Sequence, residues 1–272
     1  MLKLNDKIIE FGCFPDGTIA VKQPIDGIST AVIEWYYENE YEFVGLIYIT
    51  KHLKSHGICD ITLFMPYIPN ARMDRVKDSE DVFTLKYFAE IINFLGFKKV
   101  TVFDPHSNVS QALIDNINII QPKSIIQNVI NKIVSVEGKT PFMFYPDEGA
   151  GKRYSGFVPL PYAFGIKKRD WKTGDILGLE VAGSVEEIRG SSILIVDDIC
   201  SMGGTFLYSA RKLKEMGAEN IYLYVSHCEQ TVLNGELIRS GLIKKIFTTN
   251  SICNLNHELI EIISLDEIRT DS

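Results

Sequence analysis

The stretch Ile193-Leu194-Ile195-Val196-Asp197-Asp198-Ile199-Cys200-Ser201-Met202-Gly203-Gly204-Thr205 admits few folds. Four consecutive apolar residues read as a strand buried on both faces, and it ends abruptly in two carboxylates. A glycine pair and a threonine follow, and residues 206–216 carry a helical pattern. A strand feeding a small-residue loop that opens a helix turns backbone N–H groups outward, and the helix dipole adds roughly half a positive charge there. An anion fits such a loop, while Asp197 and Asp198 can accept hydrogen bonds from vicinal hydroxyls. Together they describe a pocket for a ribose 5-phosphate group. Acids at strand ends are common in α/β proteins and Gly-Gly alone says little, so it is the order of strand, acids, glycines and helix that carries the reading. The chain has no G-x-x-x-x-G-K-[ST] and no G-x-G-x-x-G opening an N-terminal helix.

The same alternation recurs along the chain. Residues 81–95 place Val82, Leu85, Phe88, Ala89 and Ile92 on one helical face, and Gly96 stops the pattern. Residues 99–103 then read as a strand delivering Asp104 and His106, and residues 141–145 as one delivering Asp147. Residues 192–196 deliver Asp197 and Asp198, and residues 221–225 follow the helix that Gly217 ends. Strand-like Ile61-Thr62-Leu63-Phe64 precedes a loop holding Arg72, Asp74 and Arg75. This predicts an α/β protein with mainly parallel sheets flanked by helices, where ligands bind beyond the carboxyl ends of strands. Every candidate polar residue falls at such an end, which predicts one active site.

At 272 residues the chain is too long for one ordinary domain. Polar residues 121–131 are read as the crossing between domains 1–126 and 127–272, with the last ~20 residues packing on the first. An apolar content of 46% is ample for two cores. No apolar run is long enough for a membrane span and the N-terminus lacks a signal-peptide core, so no membrane partner is expected. A net charge of −7 excludes general nucleic-acid binding, because no basic stripe is left to neutralise a row of phosphates. Five scattered cysteines without C-x-x-C spacing indicate neither a disulfide framework nor a zinc site, and suit a reducing, cytoplasmic compartment. Cys200, beside the loop, reads as a small buried hydrophobe.

Several segments, in order, resemble the ribose-phosphate pyrophosphokinases, which share the strand–loop signature with type I phosphoribosyltransferases. Pro66-Tyr67-Ile68-Pro69-Asn70-Ala71-Arg72-Met73-Asp74-Arg75 is similar to P-Y-x-x-x-A-R-Q-D-R, and Asp104-Pro105-His106 to D-L-H. Pro146-Asp147-Glu148-Gly149 is similar to P-D-x-G, and Lys168-Arg169 to a Lys-Arg pair before a flexible loop. Thr248-Thr249-Asn250-Ser251-Ile252 matches a late stretch. The resemblance implies two domains of type I phosphoribosyltransferase-like fold, ATP on the first and ribose phosphate on the second. It implies transfer of the β,γ-diphosphoryl group of ATP to the C1 hydroxyl of ribose 5-phosphate, with release of AMP and with Mg2+ as cofactor. His106 and Asp147 would then approach the metal, and Arg72, Asp74, Arg75 and His106 the triphosphate. Lys168 and Arg169 would stabilise the transition state ahead of Trp171-Lys172-Thr173-Gly174-Asp175, a stretch able to close over ATP. Asp197 and Asp198 would hold the ribose hydroxyls, and Ser201, Met202, Gly203, Gly204 and Thr205 the 5-phosphate. Phe14-Pro15-Asp16-Gly17 resembles an F-S-D-G turn, which puts Phe14 and Asp16 at an adenine pocket.

The departures are as informative. Met73 replaces a glutamine, Thr18 a glutamate, and Ser201 and Met202 replace the Asp-Thr of a D-T-A-G-T loop. A strand and helix that usually precede the Phe14 turn are largely missing, which predicts a homodimer or another small homo-oligomer and puts allosteric phosphate control in doubt. Replacing a carboxylate by Ser201 removes repulsion beside the 5-phosphate, so an acceptor such as ADP-ribose is a second expectation. A phosphoribosyltransferase using the same ribose-phosphate site, or a non-catalytic regulatory homologue, stays open at this level.

Overall fold

In the computed structural model, which describes residues 1–169 and 176–269, the chain divides into two compact units. The first comprises Met1–Gln121 with the segment from Asp266 onward, and the second Pro122–Leu265. Its strands are β1 (Leu2–Leu4), β2 (Lys7–Ile8), β3 (Phe11–Cys13), β4 (Ile19–Val21), β5 (Ala31–Trp35), β6 (Ile61–Phe64), β7 (Lys99–Phe103) and β8 (Ile117–Ile120). Helix α1 (Glu40–Ser55) follows β5, α2 (Thr84–Leu95) follows β6, and α3 (Asn108–Leu113) lies between β7 and β8. Six strands form one sheet in the order β2-β1-β5-β6-β7-β8, parallel from β5 to β8, and β3 and β4 form a separate hairpin.

Alternation decides which side of this sheet is apolar. Leu2, Leu4, Ile33, Trp35, Ile61, Leu63, Val100 and Val102 share one core with Leu46, Ile49 and Leu53 of α1 and Leu85, Phe88 and Ile92 of α2. Trp35 anchors it: its ring stacks on Phe43 at 5.7 Å and lies 6.1 Å from Phe88. The indole N–H donates to Glu42 Oε2 at 3.0 Å, and the Glu38 N–H donates to the same oxygen at 2.9 Å. Helix α2 begins at Thr84, three residues later than its periodicity suggests. Asp81 accepts from the Lys77 N–H at 2.8 Å, which ties it to the preceding loop, and Val82 is exposed and contributes nothing to the face. Gly96, left-handed at φ 62°, ends the helix as expected.

The second unit holds α4 (Lys123–Glu137), β9 (Phe142–Tyr145), α5 (Glu148–Tyr154), β10 (Tyr162–Arg169), β11 (Ile176–Gly183), β12 (Ser192–Cys200), α6 (Gly204–Glu215), β13 (Asn220–Cys228), α7 (Glu236–Arg239), β14 (Lys245–Thr249) and β15 (Ile260–Ile263). Its seven-stranded sheet runs β11-β10-β9-β12-β13-β14-β15, with only the β10–β11 pair antiparallel. Ile193 and Ile195 join a core with Phe206, Leu207, Ala210 and Leu213 of α6, while Leu194 and Val196, on the alternate side, are equally buried. The boundary between the units falls at Gln121 and Pro122, the start of the stretch 121–131 read as a crossing, but from Lys123 the chain is helical, and Ile125, Ile126, Val129, Ile130 and Ile133 of α4 bury an amphipathic stripe.

The buried acceptor beside Trp35 generates a stability prediction. Glu42→Ala leaves the indole and Glu38 N–H groups without their shared acceptor and lowers stability by about 2–3 kcal/mol in urea denaturation. Glu42→Gln, which keeps an acceptor oxygen, loses less than half of that.

Candidate functional site

The first set of candidate residues lies at the carboxyl ends of neighbouring strands β6 and β7. After β6 the chain turns through Asn70, left-handed at φ 64°, with the Met73 N–H donating to the Asn70 carbonyl at 2.9 Å. Arg72 and Arg75 stand exposed on that loop and Asp74 is half-buried. After β7, Asp104 is buried and left-handed at φ 42°, and half-buried His106 follows in the loop before α3. In the β3–β4 hairpin, Asp16 accepts from the Thr18 N–H at 3.0 Å and from its hydroxyl at 2.7 Å, and these bonds hold its carboxyl below the usual range. The Asp16 side chain is therefore spent on the turn, and it is Phe14, 56% exposed, that the hairpin offers to solvent.

The second set belongs to the other unit. Asp147 follows β9 and caps α5, accepting from the Ala150 N–H at 3.1 Å. Asp197 and Asp198 do not end the neighbouring strand: β12 runs through both to Cys200, with Asp197 opposite Val225 and Cys200 opposite Cys228 on β13. Parallel pairing with β13 thus fixes the acids as part of the sheet. Asp198 is 4% exposed and pairs with Arg153 of α5 at 3.3 Å. Its N–H donates to Asp197 Oδ1 at 3.0 Å. Burial, then the charge of Asp198, then that of Asp147 push the Asp197 carboxyl well above its ordinary range. Two carboxylates therefore lie together, with Asp147 a lesser influence and Arg153 as counter-ion of Asp198. Arg153 belongs to the basic stretch after Pro146-Asp147-Glu148-Gly149, but its link to Asp198 spans elements and leaves no local spacing.

Such a cluster suits a cation. Among the described residues no three His, Cys, Asp or Glu side chains are arranged to hold a metal ion by themselves.

The loop after β12 has a backbone that leaves a helix N-terminus open to it. Gly203, at φ 80°, is the residue before α6, and no side chain caps that helix, so its first N–H groups face the loop. The helix starts at Gly204, two residues earlier than its apolar pattern shows. A Cβ on Gly203 would lie 2.7 Å from Leu237 of α7, and one on Gly235 would lie 1.9 Å from the Met202 carbonyl oxygen. The loop is thus clamped from below by the chain around α7. Met202 is 55% exposed at the rim. Beneath, Cys200, Cys228 and Cys253 are all buried. Contact with neighbouring thiols raises the Cys228 and Cys253 thiols, so these pack as protonated apolar groups. Ser251, in the late matched stretch, serves the scaffold: its hydroxyl lies 2.8 Å from buried His227 Nδ1.

Lys168 and Arg169 fall on the backbone of β10, next to β9, in the stretch paired with Gly178 and Ile176 of β11. Their side chains, and the whole Trp171-Lys172-Thr173-Gly174-Asp175 stretch, lie outside the described residues.

Comparison with known proteins agrees with this architecture. Residues 157–254 match the phosphoribosyl transferase domain. The ribose-phosphate pyrophosphokinase of Sulfolobus acidocaldarius is 30% identical over 256 residues, covering 90% of this chain and 84% of that protein. The ribose-phosphate pyrophosphokinase of Saccharolobus solfataricus is 26% identical over 274 residues, 98% of this chain and 89% of its own length. The crystal structure of phosphoribosylpyrophosphate synthetase from Mycobacterium smegmatis superposes with a TM-score of 0.80 at 17% identity, over 97% of this chain and 88% of that one, and so shares its fold. With a relative at 30% identity matched over most of both chains, this protein belongs to the ribose-phosphate pyrophosphokinase family.

Proposed function

We propose that the protein transfers the β,γ-diphosphoryl group of ATP to the C1 hydroxyl of a 5-phosphoribosyl acceptor. The C1 oxygen bonds to the β-phosphorus, the bond from that phosphorus to the α-phosphate oxygen breaks, AMP departs with that oxygen, and the hydroxyl proton is released. The observation that carries this reading is the pairing of the uncapped α6 N-terminus with Asp197 and Asp198 one loop earlier. It sets donors for a phosphate and acceptors for a diol close together in the chain, and the relatives it resembles are named ribose-phosphate pyrophosphokinases.

Each residue then has a task. Gly203, Gly204 and Thr205 present N–H groups to the 5-phosphate, and Ser201 and Met202 line its rim. Asp197 and Asp198 accept from the ribose hydroxyls; a carboxylate whose pKa is raised is the stronger acceptor. Arg72 and Arg75 grip the triphosphate with planar donors, Asp74 orients them, and Phe14 stacks on adenine. Lys168 and Arg169 meet the charge that builds as AMP leaves. Asp147 and His106, each within its own unit, are the residues that would hold magnesium, and the ion would supply charge neutralisation for the phosphates.

The acceptor class includes ribose 5-phosphate and diphosphate-linked ribose such as ADP-ribose. Met202 favours the wider class: an exposed, unbranched side chain at the rim can swing aside for a substituent on the 5-phosphate.

Supplied with ATP and magnesium, the enzyme forms AMP with at least one of the two acceptors, and mass analysis of the product finds the added diphosphate. AMP from neither would refute the reading. Lys168→Ala lowers kcat by about 10²–10³ with an unchanged melting curve; a scaffold without catalysis would lose nothing. Gly235→Ala, whose Cβ would strike the Met202 carbonyl, raises the KM for the acceptor while leaving that for ATP unchanged.

Asp197→Asn separates function from stability. The folded chain holds the Asp197 proton more tightly than the unfolded chain, so stability falls as pH rises from the ordinary carboxylate range through the elevated folded value, and the penalty is complete above it. The variant therefore loses turnover yet melts at a higher temperature than wild type at pH 7. That advantage shrinks as pH falls toward the ordinary carboxylate range. An unchanged or lower melting temperature at pH 7 would contradict the enclosure of the Asp197 carboxyl beside Asp198.

A further inference from the structure

Helices α1 and α2 cover one face of the first sheet, and their outward side is apolar as well. Each connects neighbouring parallel strands, β5 to β6 and β6 to β7, so the two lie side by side and point the same way. Inward, Leu46, Ile49 and Leu53 of α1 and Leu85, Phe88 and Ile92 of α2 fill the core. Outward, α1 carries Tyr41, Val44 and Tyr48, and α2 carries Tyr87, Ile91 and Phe94, each set at the three- and four-residue spacing of one stripe. All six are exposed, and the four aromatic residues are each more than half exposed. The stripes meet: Lys51, one turn beyond Tyr48, holds its Nζ 4.0 Å from the centre of the Phe94 ring. A surface helix ordinarily turns charge outward, so two adjacent apolar stripes form a patch that calls for a partner.

Size and charge say which partner fits. At about 200 Å² per aromatic side chain, the four rings alone leave roughly 500 Å² in water, near the upper end for a monomer. Pressed against an identical face, they would bury about 1,200 Å² together with Val44 and Ile91, the area of a specific protein–protein interface. Tyrosine and phenylalanine are residues that such interfaces favour. The charges along α1 are arranged for a copy laid antiparallel. Glu40 opens the helix and Lys51 stands near its end, both exposed. A two-fold axis across the middle of the stripe therefore sets each Glu40 beside the other chain's Lys51, and each Val44 beside the other chain's Tyr48. With Lys86 and Glu90 alongside the α2 stripe, acid and base are balanced, and the face lacks the basic rim that an anionic lipid surface would require. We infer that α1 and α2 form the docking face for a second copy of this chain, in an isologous pair with the two α1 helices antiparallel. Pairing through this face stands whether or not the proposed reaction is correct.

Sedimentation of the full-length protein at micromolar concentration finds twice the 30.7 kDa of one chain, or a larger assembly built from such pairs. Tyr48→Glu and Ile91→Glu, at positions exposed in the protomer, leave its melting curve unchanged and weaken the pair about 100-fold. Glu40→Lys and Lys51→Glu each bring like charges face to face and weaken it about tenfold. An equimolar mixture of these two charge variants recovers wild-type pairing, because every contact between unlike chains again joins opposite signs. Should either glutamate variant fail to fold, the charge variants, which leave the apolar stripe intact, decide the matter. A monomeric wild type overturns the inference. So does an assembly that folded Tyr48→Glu and Ile91→Glu proteins leave intact, or a mixture of the charge variants that pairs no better than either alone. A monomeric wild type that binds a different protein through Tyr48 gives the face to a foreign partner, and overturns it too.

Discussion

The enclosure of Asp197 beside Asp198 is the constraint around which the second unit is arranged. Folding sets both within β12, next to β9, and burial first, then the charge of Asp198, drive the Asp197 carboxyl up. Arg153 from α5 answers one of the charges directly, and the cap bond from Ala150 to Asp147 spreads another into a helix N-terminus. The sheet supplies what the acids withhold. Val196, Leu194 and their neighbours on β13 are fully buried, so the strand that carries the acids cannot yield to their repulsion. A destabilised polar centre held rigid by an apolar sheet is what a site needs if positive charge is to arrive with the substrate.

Much of this was readable beforehand because the pieces have local signatures. The apolar run of β12, the left-handed glycines at 96, 203 and 217, and the loop between β12 and α6 each declare themselves within a few residues. The errors share a physical cause. The aspartates were expected to terminate β12, but pairing with Val225 and the residues beyond carries the strand through them, and that partner is remote in sequence. Residues 121–131 look polar when averaged, while Ile125, Ile126, Val129 and Ile130 keep helical spacing, so a helix begins where only a connection was expected. Helix α2 was extended back to Asp81 because periodicity cannot show that a carboxylate is already bound to a loop N–H. Links such as Arg153 to Asp198 and Ser201 to Thr231 join residues tens of positions apart and leave no mark in spacing.

The aromatic stack around Trp35 gives the first unit an optical signature of its own. Of the two tryptophans in the chain, Trp35 is shut into that core against Phe43 and Phe88, while the other, Trp171, belongs to the stretch between β10 and β11. With Trp171 replaced by phenylalanine, fluorescence excited selectively in tryptophan would come from the first unit alone. Its melting could then be followed separately from that of the unit carrying Asp197, in one unlabelled protein.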